Sequence, residues 1–303
     1  MTGRQDARGR ALAGAMLAWL AVLAGLGSGP AGAQPSTAGA RPSTALYYQS
    51  GKSIDRLSLV GPSRTTKVVS LGGGSELPAI AVAGGYVYWA VETGRAGRDT
   101  IMRARLDGRD TRELVGGLTY PDSLVAAGGY LYWADQRSIG RVGLGGSHLQ
   151  RQFIALAQER GGGVAEGLAT DGSHLYFSRC QDSEIGRADL DGTHVDDGFI
   201  SLGSTGCPQG LAVGGGEIYW TDLGTAGDGT IGRAAVDGAG ADDGWLDTHT
   251  NQGPFQVAAD ASHVYWTAGG AAGSPTYTGR ANADGTNVET RFLRGSEFAM
   301  ALV

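Results

Sequence analysis

Beyond residue 44 the chain alternates between apolar runs of a few residues and polar breaks rich in glycine and aspartate. IAV at Ile80, VAA at Val125 and LAV at Leu211 are such runs, and AGG, TDG, GGG and ADA are the breaks that follow runs of this kind. Each break leads into an aromatic segment, then a polar loop, then a segment beginning Ile-x-Arg, then a last short apolar run such as RELV, RQFI or DGFI. Runs this short, punctuated this often, predict β-strands joined by tight turns rather than helices.

The aromatic segments repeat. An apolar residue, a tyrosine and a second aromatic recur with the tyrosine at Tyr47, Tyr88, Tyr132, Tyr176, Tyr219 and Tyr265, at intervals of 41, 44, 44, 43 and 46 residues. A linked pattern follows each one: an arginine (Arg56, Arg103, Arg141, Arg187, Arg233, Arg280) and, five residues on, a glycine (Gly61, Gly108, Gly146, Gly192, Gly238, Gly285). Asp-Gly or Gly-Gly at most of these sites supplies the positive φ angles that two-residue hairpins need. Each unit therefore predicts four antiparallel strands in about 43 residues, and radial repetition of such sheets is the sequence signature of a propeller. One blade cannot bury both faces, so blades must stack in a ring. AMALV at residues 299–303 resembles an opening strand with no successor. It is expected to complete the blade of Tyr47 and close a ring of six, with the Tyr and Trp rings filling the wedges between blades.

The repeats resemble the YWTD family, the six-bladed propellers first recognised in low-density lipoprotein receptors (the class B repeat). Tyr219-Trp220-Thr221-Asp222 spells the motif; YWAD at Tyr132, YWTA at Tyr265, YWAV at Tyr88, YFSR at Tyr176 and YYQS at Tyr47 depart from it. The resemblance covers residues 45–303 and is to a free-standing, bacterial-type secreted relative, since the cysteine-rich modules that flank receptor propellers are missing. It implies inter-repeat bonding through the motif acid, kept here only at Asp135 and Asp222. It also implies a non-enzymatic module that grips a protein or peptide ligand. The alternative is metal-assisted chemistry of the streptogramin-lyase type, on a similar six-bladed scaffold.

The first 33 residues have three arginines, an apolar run from Ala11 to Gly27, and Ala31-Gly32-Ala33 at the end. This is the composition of a secretory signal peptide, with residues 34–44 a polar linker and 45–303 one propeller. The run is short for a membrane span. Removing three Arg and one Asp with the leader takes the formal charge from −6 to about −8, which argues against nucleic acid as a partner and favours basic groups. No oligomerisation signal is legible, and a monomer, periplasmic or extracellular, is expected.

The candidate chemistry is sparse. The repeated arginines serve the repeat. ADLDGTHVDDG from Ala188 lacks the ligand ladder of a calcium loop, and Asp107, Asp191, Asp237 and Asp284 fall at hairpin turns. Five histidines (His148, His174, His194, His249, His263) form no nucleophile or metal motif, so no catalytic residue is assigned. Two cysteines remain, Cys180 after one aromatic strand and Cys207 before the next opening strand. A four-stranded meander puts both on one face, and a secreted chain pairs them. One column varies where others repeat: Pro78, Asp122, Glu166, Gln209 and Phe255, ten residues before each tyrosine, with the sixth equivalent near Glu297 or Phe298. It should rim the channel on the cysteine face. Asp122, Glu166 and Glu297 would attract a cationic group or a divalent cation, with no other cofactor, and Tyr120 and Phe255 would add apolar contact.

Overall fold

The computed structural model describes residues 21–22, 44–71, 77–135, 138–156, 165–203, 206–222, 229–249, 253–268, 276–294 and 297–303. Its strands form six sheets, five of them meanders of four consecutive antiparallel strands. Blade 2 runs Ile80–Ala83, Tyr86–Val91, Asp99–Arg105 and Arg112–Leu118. Blade 3 runs Ser123–Ala127, Tyr130–Asp135, Ser138–Gly143 and Gln150–Ala155. Blade 4 runs Leu168–Thr170, His174–Arg179, Glu184–Asp189 and Asp196–Ser201. Blade 5 runs Pro208–Gly214, Glu217–Asp222, Thr230–Ala235 and Asp242–Asp247, and blade 6 Pro254–Ala259, His263–Ala268, Tyr277–Asn282 and Glu289–Arg294.

Blade 1 closes the ring as the sequence predicts. Ala45–Ser50, Ser53–Ser58 and Thr65–Ser70 receive the C-terminal strand Glu297–Leu302 as their innermost member, with Tyr47 opposite Ala301. Ala21–Val22 pairs in parallel with Ala301–Leu302 on the other edge of that strand. The rest of the expected leader and linker, residues 1–20 and 23–43, lies outside the described residues.

The register explains the repeat. In all six blades the repeated tyrosine faces the repeated arginine across the second and third strands, from Tyr47 and Arg56 to Tyr265 and Arg280. The ring that follows the tyrosine faces glycine in four blades: Trp133 on Gly140, Phe177 on Gly186, Trp220 on Gly232 and Trp266 on Gly279. A Cβ on any of these glycines would lie 2.1–2.2 Å from the ring, so the ring rests flat on the bare backbone. Each tyrosine then shares a core cluster with the second aromatic of the next blade: Tyr47 with Trp89, Tyr88 with Trp133, Tyr132 with Phe177, Tyr176 with Trp220, Tyr219 with Trp266, and Tyr265 with Tyr48. The wedges between blades are therefore filled by these rings, almost all fully buried, and aromatic area of this kind dominates core energetics.

The hairpin glycines behave as the pattern requires. Gly61, Gly108, Gly146, Gly192, Gly238 and Gly285 all have φ between 75° and 101°. Gly108 also meets the Val68 carbonyl and Gly192 the Phe153 ring of the preceding blade at distances that leave no room for a Cβ. The turn aspartates accept from the backbone two residues on, Asp107 from Arg109, Asp191 from Thr193, Asp237 from Ala239 and Asp284 from Thr286. This is turn chemistry. The threonine partners hold the Asp191 and Asp284 carboxyls below the usual range.

Five of the six repeat arginines pack within their blades. Their guanidiniums stack on rings of their own blade: Arg103 on Tyr86, Arg141 between Tyr130 and Phe153, Arg187 on Phe199, Arg233 on Trp245 and Arg280 on Phe292.

Candidate functional site at the channel mouth

The face bearing the lead-ins to the innermost strands also bears the Cys180–Cys207 disulfide. The bridge joins the turn after the second strand of blade 4 to the segment that opens blade 5. The Cys207 N–H donates to Asp222 Oδ2 at 2.8 Å, so the motif acid holds the connection between these two blades. Arg179, which stands where the motif has its acid, is buried and pairs with Asp182 at 2.5 Å and Glu184 at 3.1 Å.

Four carboxyls meet on this face. Glu92 follows the second strand of blade 2, Asp135 ends the second strand of blade 3, and Asp122 and Glu166 lead into the innermost strands of blades 3 and 4. Asp122 keeps some contact with solvent, but protein surrounds its carboxyl. That burial first, then the charges of Glu92 and Glu166, a side-chain hydrogen bond with Glu92, and the charge of Asp135, hold it well above the ordinary carboxylate range.

Two buried side chains set this geometry. Asp99, on the third strand of blade 2, accepts from the Thr93 N–H and hydroxyl through Oδ1, at 2.8 and 3.0 Å, and from the Tyr120 N–H through Oδ2, at 2.8 Å. Tyr120 takes φ 51° to make that bond. Thr93 neighbours Glu92 and Tyr120 lies two residues before Asp122, so Asp99 draws the first two carboxyls together. Ser123 Oγ accepts from the Leu168 N–H at 3.0 Å, which brings Asp122 beside Glu166 in the next blade.

Of the residues the sequence singled out, Asp122 and Glu166 are thus brought together. Gln209 and Phe255 hold the equivalent places on blades 5 and 6. Their carbonyls accept from Ser178 at 2.7 Å and Thr221 at 2.9 Å, hydroxyls of the blade before. Tyr120 stands beside the cluster through Asp99. Glu297 pairs with Gln49 in the closing strand, and its side chain lies outside the described residues. Glu92, Asp135 and Asp99 were missed as site residues. Asp99 and Glu92 lie in no repeated column, and in the sequence Asp135 is legible only as a motif acid. A groove of about 350 Å³ leaves the cluster at Asp135 and runs outward between blades 2 and 3, past Ser138, Thr119 and Arg151. Among the described residues no three His, Cys, Asp or Glu are arranged to hold a metal ion.

His148, His174, His194 and His263 lie at turns of the opposite face, while His249 follows the fourth strand of blade 5. His174 Nδ1 lies 2.9 Å from Asp171, which also accepts from the Tyr176 phenol at 3.0 Å. Burial pushes the Asp171 carboxyl up, and these bonds together with the His174 and Ser173 N–H groups outweigh it, leaving the carboxyl below its ordinary value.

No family model matches the chain, and no curated protein matches it. Solved structures do. The crystal structure of a nidogen/laminin complex matches over 85% of this chain and 97% of that one, with TM-score 0.66 and 16% identity. A putative TolB from Agrobacterium tumefaciens matches over 85% and 91%, with TM-score 0.59 and 16% identity. A streptogramin B lyase matches over 86% and 88%, with TM-score 0.58 and 16% identity. At this identity the likeness is one of fold, and the fold hosts both binding proteins and enzymes.

Proposed function

We propose that the chain is a secreted binding module of the YWTD type, whose channel mouth takes a cationic group carried by a protein or peptide. The observation that supports this most is the convergence of the segments bearing Glu92, Asp122 and Glu166, tied together through Asp99 and Ser123. Like charges this close raise the cost of ionisation, and an incoming cation relieves that cost. The adjoining groove gives an extended chain a path from the acids toward Arg151. The disulfide and the leader-like N-terminal composition support export.

Tri-arginine is a suitable probe, because a ligand that binds only the folded state raises its melting temperature by mass action. The expected result is a salt-sensitive rise for the native protein and none for the Asp122→Asn, Glu166→Gln variant. Equal rises in both would remove the mouth from the proposal.

The likeness to a streptogramin B lyase keeps a second reading, metal-assisted lyase or hydrolase chemistry at the same mouth. This chemistry requires the acids to close around a divalent cation acting as Lewis acid, an arrangement they do not have among the described residues. Calcium or magnesium, rather than tri-arginine, would then raise the melting temperature.

A further inference from the structure

The opposite face carries the turns between first and second strands and between third and fourth strands. There, blades 2 and 3 are tied to the next blade in the same way, and blade 4 through its tyrosine, which donates to the Val236 carbonyl at 3.1 Å. In blade 2 both Tyr88 and Arg103 donate to the Leu144 carbonyl of blade 3, at 3.0 and 2.8 Å. In blade 3 Tyr132 and Arg141 donate to Leu190 of blade 4, at 3.0 and 3.2 Å. Two residues before the tyrosine stands a ring that covers this joint: Tyr86, Tyr130, His174 and His263 in blades 2, 3, 4 and 6, each in contact with its repeat tyrosine.

Blades 1 and 5 have no ring there, Ala45 standing at that place in blade 1. Glu217 occupies the ring position in blade 5. Among the described hydrogen bonds only Arg233 reaches the next hairpin, at Ala283, and at 3.5 Å. Arg233 rests one face on Trp245, 4.8 Å from the ring centre. In blade 3 the matching Arg141 is sandwiched, with Tyr130 at 4.6 Å and Phe153 at 3.7 Å. In place of the second ring Arg233 has the Glu217 carboxylate, 3.9 Å from its Nε, and both side chains are about one-third exposed, at 35% each. A groove of about 510 Å³ opens at this joint, bordered by Glu217, Tyr219, Arg233, Ser262, Asn282 and Asp284.

We propose that this groove is a binding site for a phenolic or similar donor-bearing aromatic ring, which stacks on Arg233 as Tyr130 does on Arg141 in blade 3, beside the Glu217 carboxylate. The ring completes the stack on the Arg233 guanidinium, a contact that gains from partial desolvation. Its hydroxyl or N–H donates to Glu217 or Asp284, the acceptors on the groove wall. The site is on the face opposite the channel mouth and does not depend on the function proposed for that mouth.

The simplest probe is p-cresol, the side chain of tyrosine as a free molecule. Binding to the purified protein is followed by NMR, through the Trp245 indole signal and the amides of Gly215 and Ser262. Two variants accompany it. Glu217→Tyr installs the residue that blades 2 and 3 already carry there, so the fold accepts it, and the new ring fills the slot. Glu217→Ala removes the acceptor and leaves the slot open. The expected result is saturable shifts in the native protein, a loss of affinity of at least about tenfold in Glu217→Tyr, and a smaller loss in Glu217→Ala, with cyclohexanol giving no shift in any of them. Unchanged p-cresol affinity in Glu217→Tyr, or no shift of Trp245 in the native protein at millimolar p-cresol, would overturn the proposal. Unshifted melting temperatures in the variants establish that either outcome concerns the site and not the fold.

Discussion

The Tyr132 phenol and the Arg141 guanidinium, opposite each other in one blade, both end on the same carbonyl, Leu190 of the next blade. The repeat is thus a device for joining blades, and each of its residue types has a separate and measurable share. Removing the phenol alone, by Tyr132→Phe, leaves the carbonyl with Arg141. The loss should be about 1 kcal/mol by urea denaturation. Adding Arg141→Ala leaves that carbonyl unpartnered, and the pair should cost more than the sum of the single changes.

The bare backbone under the tryptophans makes a second prediction. In Gly232→Ala a methyl group would sit 2.1 Å from the Trp220 ring. The ring must leave its place, and Trp220 Nε1 then loses its bond to Asp243, now 2.6 Å. Overpacking of this kind costs roughly 1–3 kcal/mol. Gly145→Ala, where nothing lies within 4 Å, is the control and should be close to neutral.

Replacing both cysteines by serine reopens a loop spanning 27 residues. Chain entropy puts the loss at roughly 3 kcal/mol. The bridge itself is checked by iodoacetamide labelling of unreduced, denatured protein, which should label no thiol.

The Asp122 carboxyl is held up by burial and by its acidic neighbours. A group whose folded pKa exceeds its unfolded value binds more protons when folded, so stability falls as pH rises from the unfolded pKa, about 4, through the raised folded one. Asp122→Asn removes that loss. The variant should match the native protein near pH 3.5 and melt higher at pH 7. Equal differences at both pH values would mean that Asp122 ionises freely.

The fold was legible because the repeat displays each constraint six times. The Tyr–Arg pairing, the positive-φ glycine and the closing strand can all be read by aligning the chain on itself, and the disulfide follows from the strand order. The acid cluster was half legible for the same reason. Asp122 and Glu166 share a column and stand out by differing from Pro78, Gln209 and Phe255. Glu92 and Asp135 reach the same point from the far ends of second strands in two blades, drawn there by Asp99, four residues before the repeat arginine, where the later repeats carry Arg137, Ser183, Gly229 and Thr276. A column comparison does not reveal that a buried aspartate at one of those places turns Tyr120 toward it. The glycine before the repeat arginine is visible in four repeats, three as Ile-Gly-Arg and one as Thr-Gly-Arg, but its reason, a ring lying on it, needs the register between strands.

The most direct test of the binding role is affinity capture from the native secretome and cell-envelope extract, with residues 34–303 as bait beside the Asp122→Asn, Glu166→Gln variant. A partner with an exposed basic segment, held by the native bait and lost by the variant and by moderate salt, is the predicted result. A partner held equally by both baits would contradict the assignment of binding to the channel mouth.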